Sequence, residues 1–222
     1  MSKPPSFETS DLASLREEYT RATLSEADVL ADPFAQFESW LATAVSAGIH
    51  EPHAMTLATV DANGSPSARI VLLRDVAPRG LVFYTNYASA KGRDIADNPR
   101  VALLFFWKEL ERQVRIRGTA SKVTREESEA YFHSRPRGSQ IGALASPQSQ
   151  VLTTREWLDA RVNELTARYE GQPVPLPETW GGYRVAPDSF EFWQGRSSRL
   201  HDRIAYARDN PEAAWRRVRL AP

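Results

Sequence analysis

The stretch AMTLATVDANGSPSARIVLLRDVAPRGLVFYTN, residues 54–86, decides the fold class. Three runs rich in β-branched, aromatic and apolar residues are separated by ANGS and APRG, whose Gly, Pro, Asn and Ser favour tight turns. Strands joined this closely read as an antiparallel meander. Upstream, Asp32 and Pro33 occupy the N-cap and first position of a helix in which Phe34, Phe37, Leu41 and Val45 recur at helical spacing until Gly48. Residues 1–30 are polar and mixed, with LREEY (15–19) the only clear helical fragment, and are set apart as a mobile arm; residues 31–222 are taken as a single domain.

Downstream, SAKGRDIAD (89–97) predicts a short helix capped by Ser89, with Pro99 just beyond its end. Two strands follow, RVALLFFWKEL and RQVRIRGTASKV. In the second, Val114 and Ile116 alternate with Gln113, Arg115 and Arg117, giving one buried and one polar face. Thr124 and Glu127 form a capping box at the head of TREESEAYFHS. A longer helix over REWLDARVNELTARYE carries Leu158, Val162, Leu165 and Tyr169 as its apolar stripe and ends at Gly171. The loop QPVPLPETWGG (172–182) leads to final strands around FEFWQG, RIAYAR and WRRVRLAP. About five to eight short strands with helices inserted at a few points favour an α+β antiparallel barrel over a doubly wound sheet. There is no glycine-rich strand-to-helix turn of the dinucleotide type.

Composition narrows the function classes. The 222 residues carry 41% apolar side chains, enough for one ordinary core. With 28 basic and 28 acidic residues there is no global field to hold a polyanion, so nucleic acid is not an expected partner and any anion site is local. The absence of cysteine removes thiolate chemistry and cysteine-ligated metals, and fits a reducing compartment, with cytoplasm the default. MSKPPSFETS lacks the apolar core of a signal peptide, and VALLFFW is too short to span a bilayer, so no membrane partner is expected.

Four polar clusters remain. Arg69 and Arg74 flank an apolar strand core, where solvated strand-end arginines are the plainer reading. Tyr84, Thr85, Ser89 and Lys91 gather around a helix start and suit a phosphate, although capping alone explains the serine. YFHSRPRGSQIGALASPQSQ combines Tyr131, Arg135, Arg137, Ser139, Gln148 and Ser149; this composition suits a phosphorylated small molecule and equally a surface loop. Its His133 has no second ligand at metal spacing, and no metal site is expected. In EFWQGRSSRLHDRIAY (191–206), Arg199 and His201 would face one side of an extended strand and Trp193 could cover a flat ring. A cation–π surface contact is the preferred reading of that segment alone. Together the clusters provide for two anionic groups and a planar ring, as a flavin mononucleotide and a second phosphorylated ring would need.

The runs RIVLL, FYTN, NPRVALLFFW, ERQVRIRG, YFHSRPRGSQIGA, ASPQS, WGGYRV, EFWQG and RLHDR, in this order, resemble the pyridoxamine 5′-phosphate oxidases over nearly the whole chain. The resemblance implies an FMN-binding split β-barrel working as a homodimer with shared active sites. It implies oxidation of pyridoxamine 5′-phosphate or pyridoxine 5′-phosphate to pyridoxal 5′-phosphate, with oxygen reduced to hydrogen peroxide. By position, Arg69, Ile70, Val71, Leu72, Tyr84, Thr85, Lys91 and Gln113 look like flavin contacts, joined by Gln148, Ser149, Trp193 and Arg203, in part from a partner chain. Arg74, Tyr131, Arg135 and Ser139 look like the substrate-phosphate cradle, Arg199 and His201 like the groups against the substrate ring, and Arg16 with Tyr19 like a closing arm. The chain departs from the family pattern at Arg74, where many relatives carry lysine, and at Ala90, where many carry arginine beside the flavin-phosphate lysine. A phenazine-pathway oxidase of the same fold, or a flavin- or pyridoxal-phosphate-binding protein without turnover, are the rival readings.

Overall fold

The structure, a computed structural model, describes Leu15 and residues 17–77, 79–210 and 212–222. Helix α1 (Pro33–Ser46) opens the body, its Asp32 carboxylate accepting the Phe34 N–H as the sequence predicts. The meander follows as β1 (Ala54–Val60), β2 (Pro66–Leu72), β3 (Asp75–Ala77) and β4 (Gly80–Asn86). Next come α2 (Ala90–Asp97), β5 (Arg100–Trp107), β6 (Arg112–Lys122), α3 (Arg125–Ser134), α4 (Arg137–Ala145) and α5 (Arg155–Arg168). The chain ends in β7 (Trp180–Gln194), β8 (Asp202–Ala207) and β9 (Arg216–Leu220).

All pairings are antiparallel, in the order β2-β1-β5-β6-β7-β4-β3, with β8 on β7 and β9 on β8. The two ends of that path are consecutive in sequence. Between them Leu73 donates its N–H to His53 of the β1 side, and Arg74 donates to Val82 of β4, so the sheet curls until its ends meet. Strand β7 is what splits it: residues 180–185 pair with β4, residues 189–194 with β8. The change occurs at a register shift between Arg117 and Gly118, opposite Pro187, which has no N–H to offer a ladder. A Cβ at Gly118 would stand 2.3 Å from the Ala186 carbonyl oxygen, so only glycine allows the bend. The fold is thus an α+β split antiparallel barrel.

The barrel interior and the inner face of α1 share one core. Phe37 packs against Phe105 with ring centres 4.9 Å apart, and Trp40 meets Phe192 edge-on at 5.3 Å. The α1 stripe departs from the predicted one: Trp40 and Ala44 are buried, while Val45 is 60% exposed. A second, smaller core of Phe132, Ile141, Ala145, Leu165, Val174 and Trp180 lies beneath α3, α4 and α5.

Three further expectations change. The described residues of LREEY form no helix. The stretch set apart as an arm, as far as it is described, includes Leu24 and Val29 in the main core. WGG belongs to a strand rather than a loop. Its glycines lie in β7 because neighbouring rings press on the backbone: a Cβ on Gly181 would meet the Tyr87 hydroxyl, and one on Gly182 the Tyr84 ring at 2.8 Å. Among the described residues no helix is long and apolar enough to cross a membrane.

Candidate functional site

A cavity of about 490 Å³ opens where β2, β4, α2, α3 and α4 converge. Strand β2 supplies Arg69, Ile70, Val71 and Leu72, with Arg74 just beyond it; β4 supplies Tyr84 and Thr85. Lys91 comes from the first turn of α2, Tyr131 and Arg135 from α3 and its end, Ser139 from α4, and Gln148 from the loop after α4. Asn86, Gly142, Ala143, Ser146 and Trp180 complete the wall. Among the described residues, four cations line this cavity and no carboxylate does, so its field favours anions.

The cations stand in two stations. At the first, the Lys91 ammonium lies 3.2 Å from Gln148 Oε1 and 3.3 Å from Thr85 Oγ1. Burial, with Arg69 nearby, pushes its pKa down. The Ser89 hydroxyl accepts the Gly92 N–H and caps α2, as the sequence predicts. Arg69 is fixed from behind: Nη1 donates to Thr59 Oγ1 at 2.6 Å, Nη2 to Ser67 Oγ at 2.8 Å, and Asp94 of α2 lies 3.5 Å away. Asp94 in turn accepts the Thr59 hydroxyl at 2.6 Å.

At the second station, Tyr84 and Tyr131 stack with ring centres 3.9 Å apart, and the Trp180 ring lies nearly parallel to both. The Arg135 guanidinium sits 4.7 Å from the Trp180 ring centre, and that of Arg74 sits 5.9 Å from the Tyr131 ring centre. Arg135 Nη1 is buried without a hydrogen-bond partner. An orphaned buried donor costs about 1–3 kcal/mol or more, and a bound anion would remove that cost.

The other predicted residues lie elsewhere on the same chain. Arg199 and His201 line a second cavity of about 400 Å³, with Tyr19 and Arg196. Tyr19 meets Trp193 and His201 at centroid distances of 5.7 and 5.8 Å, and Trp193 lies 4.6 Å from His201. The expected extended strand through Arg199 is replaced by a 3-10 turn, Ser197–Arg199, in which Ser198 and Arg199 have φ of 54° and 61°. Left-handed backbone at a bulky arginine is uncommon and marks a conformation imposed by its surroundings. His201 Nδ1 accepts the Arg196 backbone N–H at 3.1 Å, so the neutral ring carries its proton on Nε2. Burial and then the Arg199 charge push the His201 pKa down.

Gln113, Trp193 and Arg203 are register partners across β6, β7 and β8, and so share the outer face of the sheet. Arg203 is tied to Glu191 at 2.9 Å. The same face carries Phe106 and Val218, 52% and 53% exposed. Ser149 stands exposed beside Gln148 with φ 70°. Arg16 lies outside the described residues.

Sequence reasoning passed over Trp180, Asp94 and Asp202. Asp202 accepts hydrogen bonds from the Leu24 N–H at 3.0 Å, Arg196 at 2.9 Å and Arg219 at 2.8 Å. It joins the N-terminal stretch, the Arg196–Arg199 turn and β9. Only Arg196 is near it in sequence, and Leu24 and Arg219 are not, so no local pattern marks it; for Trp180, the aromatic before two glycines was the available signal.

The chain is similar to known proteins over nearly its whole length. The family described as pyridoxamine 5′-phosphate oxidase matches residues 41–169, and the pyridoxine 5′-phosphate oxidase C-terminal dimerisation region matches residues 180–222. The pyridoxine/pyridoxamine 5′-phosphate oxidase of Rubrobacter xylanophilus is 59% identical over 212 residues, covering 96% of this chain and 97% of its own. That of Burkholderia thailandensis is 58% identical, covering 95% and 99%. Among solved structures, PhzG from Burkholderia lata 383, in complex with tetrahydrophenazine-1-carboxylic acid, superimposes with a TM-score of 0.84 at 34% identity, over 90% of this chain and 98% of that one. A pyridoxamine 5′-phosphate oxidase-related, FMN-binding protein from Nostoc punctiforme shares the fold, with a TM-score of 0.67 at 16% identity over 84% and 97%. The chain belongs to the pyridoxamine 5′-phosphate oxidase family.

Proposed function

We propose that this protein is an FMN-dependent oxidase converting pyridoxamine 5′-phosphate and pyridoxine 5′-phosphate to pyridoxal 5′-phosphate, in the supply or salvage of that cofactor. The observation that carries this reading is the pair of cationic stations in one cavity that no carboxylate lines among the described residues, which provides for two phosphates at once. The donor set fits both. Lys91, Arg69, Thr85 and Gln148 would hold the FMN phosphate end, with Ile70, Val71, Leu72 and Tyr84 along it; Arg74, Tyr131, Arg135 and Ser139 would hold the substrate phosphate. When bound, FMN supplies the two-electron acceptor that none of the protein's side chains can provide. Overall, an amine substrate, oxygen and water give aldehyde, ammonia and hydrogen peroxide, whereas an alcohol substrate and oxygen give aldehyde and hydrogen peroxide.

The protein's part is orientation. Anchoring the substrate phosphate fixes one end of a small rigid ring and so restricts the approach of its reacting carbon. Arg199 presents a permanent positive charge to the substrate ring, and neutral His201 presents an Nε2–H donor rather than a base. These two residues line a different cavity of the same chain, and Gln113, Trp193 and Arg203 stand on the outer face. A homodimer in which each site combines the cavity of one copy with this face of the other unites the set, and the match of residues 180–222 to a dimerisation region supports that arrangement. Cytoplasm is the proposed location.

The test loads the purified full chain with FMN and follows pyridoxal 5′-phosphate and hydrogen peroxide together. Equimolar formation from both phosphorylated substrates, with little from unphosphorylated pyridoxamine, is expected. Turnover of a phosphate-free tricyclic carboxylate in their place would favour a phenazine-type role, and FMN binding without turnover would favour a binding role.

A further inference from the structure

Arginines buried in proteins are usually held by carboxylates, which fix the fork and also cancel its charge. The second station works differently. Among the described residues no acid contacts the Arg135 side chain; its neighbours are the ring faces of Trp180, at 4.7 Å, and Phe132, at 5.8 Å. Trp180 is only 6% exposed. It opens β7 in register with Asn86 of β4, and the edge-on Phe132 ring holds it at 5.2 Å. Its near-parallel neighbours Tyr84 and Tyr131 keep its plane fixed.

We propose that Trp180 is a positioning residue for substrate phosphate, acting through Arg135: the indole face takes the place of a carboxylate and leaves the guanidinium N–H fork free for the ligand. A π face attracts the cation through its quadrupole without consuming the in-plane donors or cancelling the charge. The orphaned Arg135 Nη1 is what such a support leaves behind. A carboxylate there would satisfy that donor and repel the incoming phosphate. The aromatic platform also restricts Arg135 before the ligand arrives, which lowers the ordering cost of binding. The substrate assignment rests on the function proposed above; the anion-binding role of Trp180 does not.

The test uses the FMN-loaded full chain and its Trp180→Leu and Trp180→Phe variants. Losing a desolvated cation–π support is expected to raise KM for pyridoxamine 5′-phosphate about tenfold in Trp180→Leu. The accompanying fall in kcat is smaller and FMN retention stays at the wild-type level. Trp180→Phe keeps a weaker face and recovers most of the loss. A direct titration with inorganic phosphate follows the same order, weakening most in Trp180→Leu. If Trp180→Leu does not fold, a raised KM and weakened phosphate binding in Trp180→Phe still support the proposal. Wild-type phosphate affinity in the folded variants overturns it, as does a fall in kcat and FMN retention with KM unchanged. Wild-type protein that binds phosphate but oxidises nothing refutes the functional reading alone; weaker phosphate binding by the variants would then still support the role of Trp180.

Discussion

Replacing Asp202 with asparagine isolates what ties the Arg196–Arg199 turn to the body. The aspartate accepts from the Leu24 N–H, Arg196 and Arg219, and its side chain is only 16% exposed. Burial opposes its charge, yet the three donors together hold its carboxyl below the ordinary aspartate range. Asparagine with its oxygen at the Oδ2 position keeps the Leu24 and Arg196 bonds and turns its N–H₂ toward Arg219, so one bond is lost and the Arg196 bond loses the carboxylate charge. Bonds to charged groups contribute roughly 1.5–3 kcal/mol each when well buried. Both arginines are more than a third exposed, which lowers the figure to about 1 kcal/mol each. The expected loss is about 1–2 kcal/mol, or roughly 2–8 °C in Tm for a chain of this size. A group with a depressed folded pKa contributes stability above its unfolded pKa and loses it as pH falls through the folded value. The gap between wild type and Asp202→Asn should therefore be full at pH 7 and shrink below about pH 4. The turn also carries the N–H that holds His201 Nδ1, so turnover at a temperature where both proteins are folded should fall at least about threefold. Differential scanning calorimetry across pH, with steady-state assays at 25 °C, measures both. A Tm within about 1 °C of wild type at pH 7, or a gap independent of pH, would refute this reasoning.

Three more outcomes are expected. Arg199→Ala should lower turnover about a hundredfold or more while FMN content, read from visible absorbance, stays at the wild-type level; equal turnover would remove the residue from the reacting centre. The His201 pKa is depressed, so its NMR titration should have a midpoint below the ordinary 6.5. The unfolded ring binds a proton more readily than the folded one, so stability from this group falls as pH drops through that range, and a His201→Gln variant should lose less. Phe106→Glu with Val218→Glu places charge on the exposed outer face and should give a monomeric mass in solution together with loss of activity. Full activity in a monomer would contradict shared sites.

What could be read from the sequence depended on the range of the interactions. Caps at Asp32, Ser89 and Thr124 are local hydrogen bonds within three residues, and all three form where their motifs stand. Alternation in β6 also survives, because Val114 and Ile116 need only one buried face. The errors arise where distant segments decide. Val45 has good helical spacing, but the barrel wall covers the Ala44 side of α1 instead. Gly181 and Gly182 suggest a loop until the Tyr84 and Tyr87 rings are in place. Most of the first cavity's lining lies in runs quoted from the sequence, but the roles of Trp180 and Asp202 depend on partners such as Arg135 and Leu24 that only the fold brings beside them. The separation of Arg199 and His201 from that cavity depends on sheet register and, on the proposed reading, on a second copy.

The most direct measurement follows the visible absorbance of the FMN-loaded protein, without oxygen, as pyridoxamine 5′-phosphate is added. Bleaching of the flavin band, with colour restored when air is admitted, is predicted, because two electrons must leave the substrate carbon before oxygen takes them. A band that stays unchanged at saturating substrate would contradict the oxidase assignment.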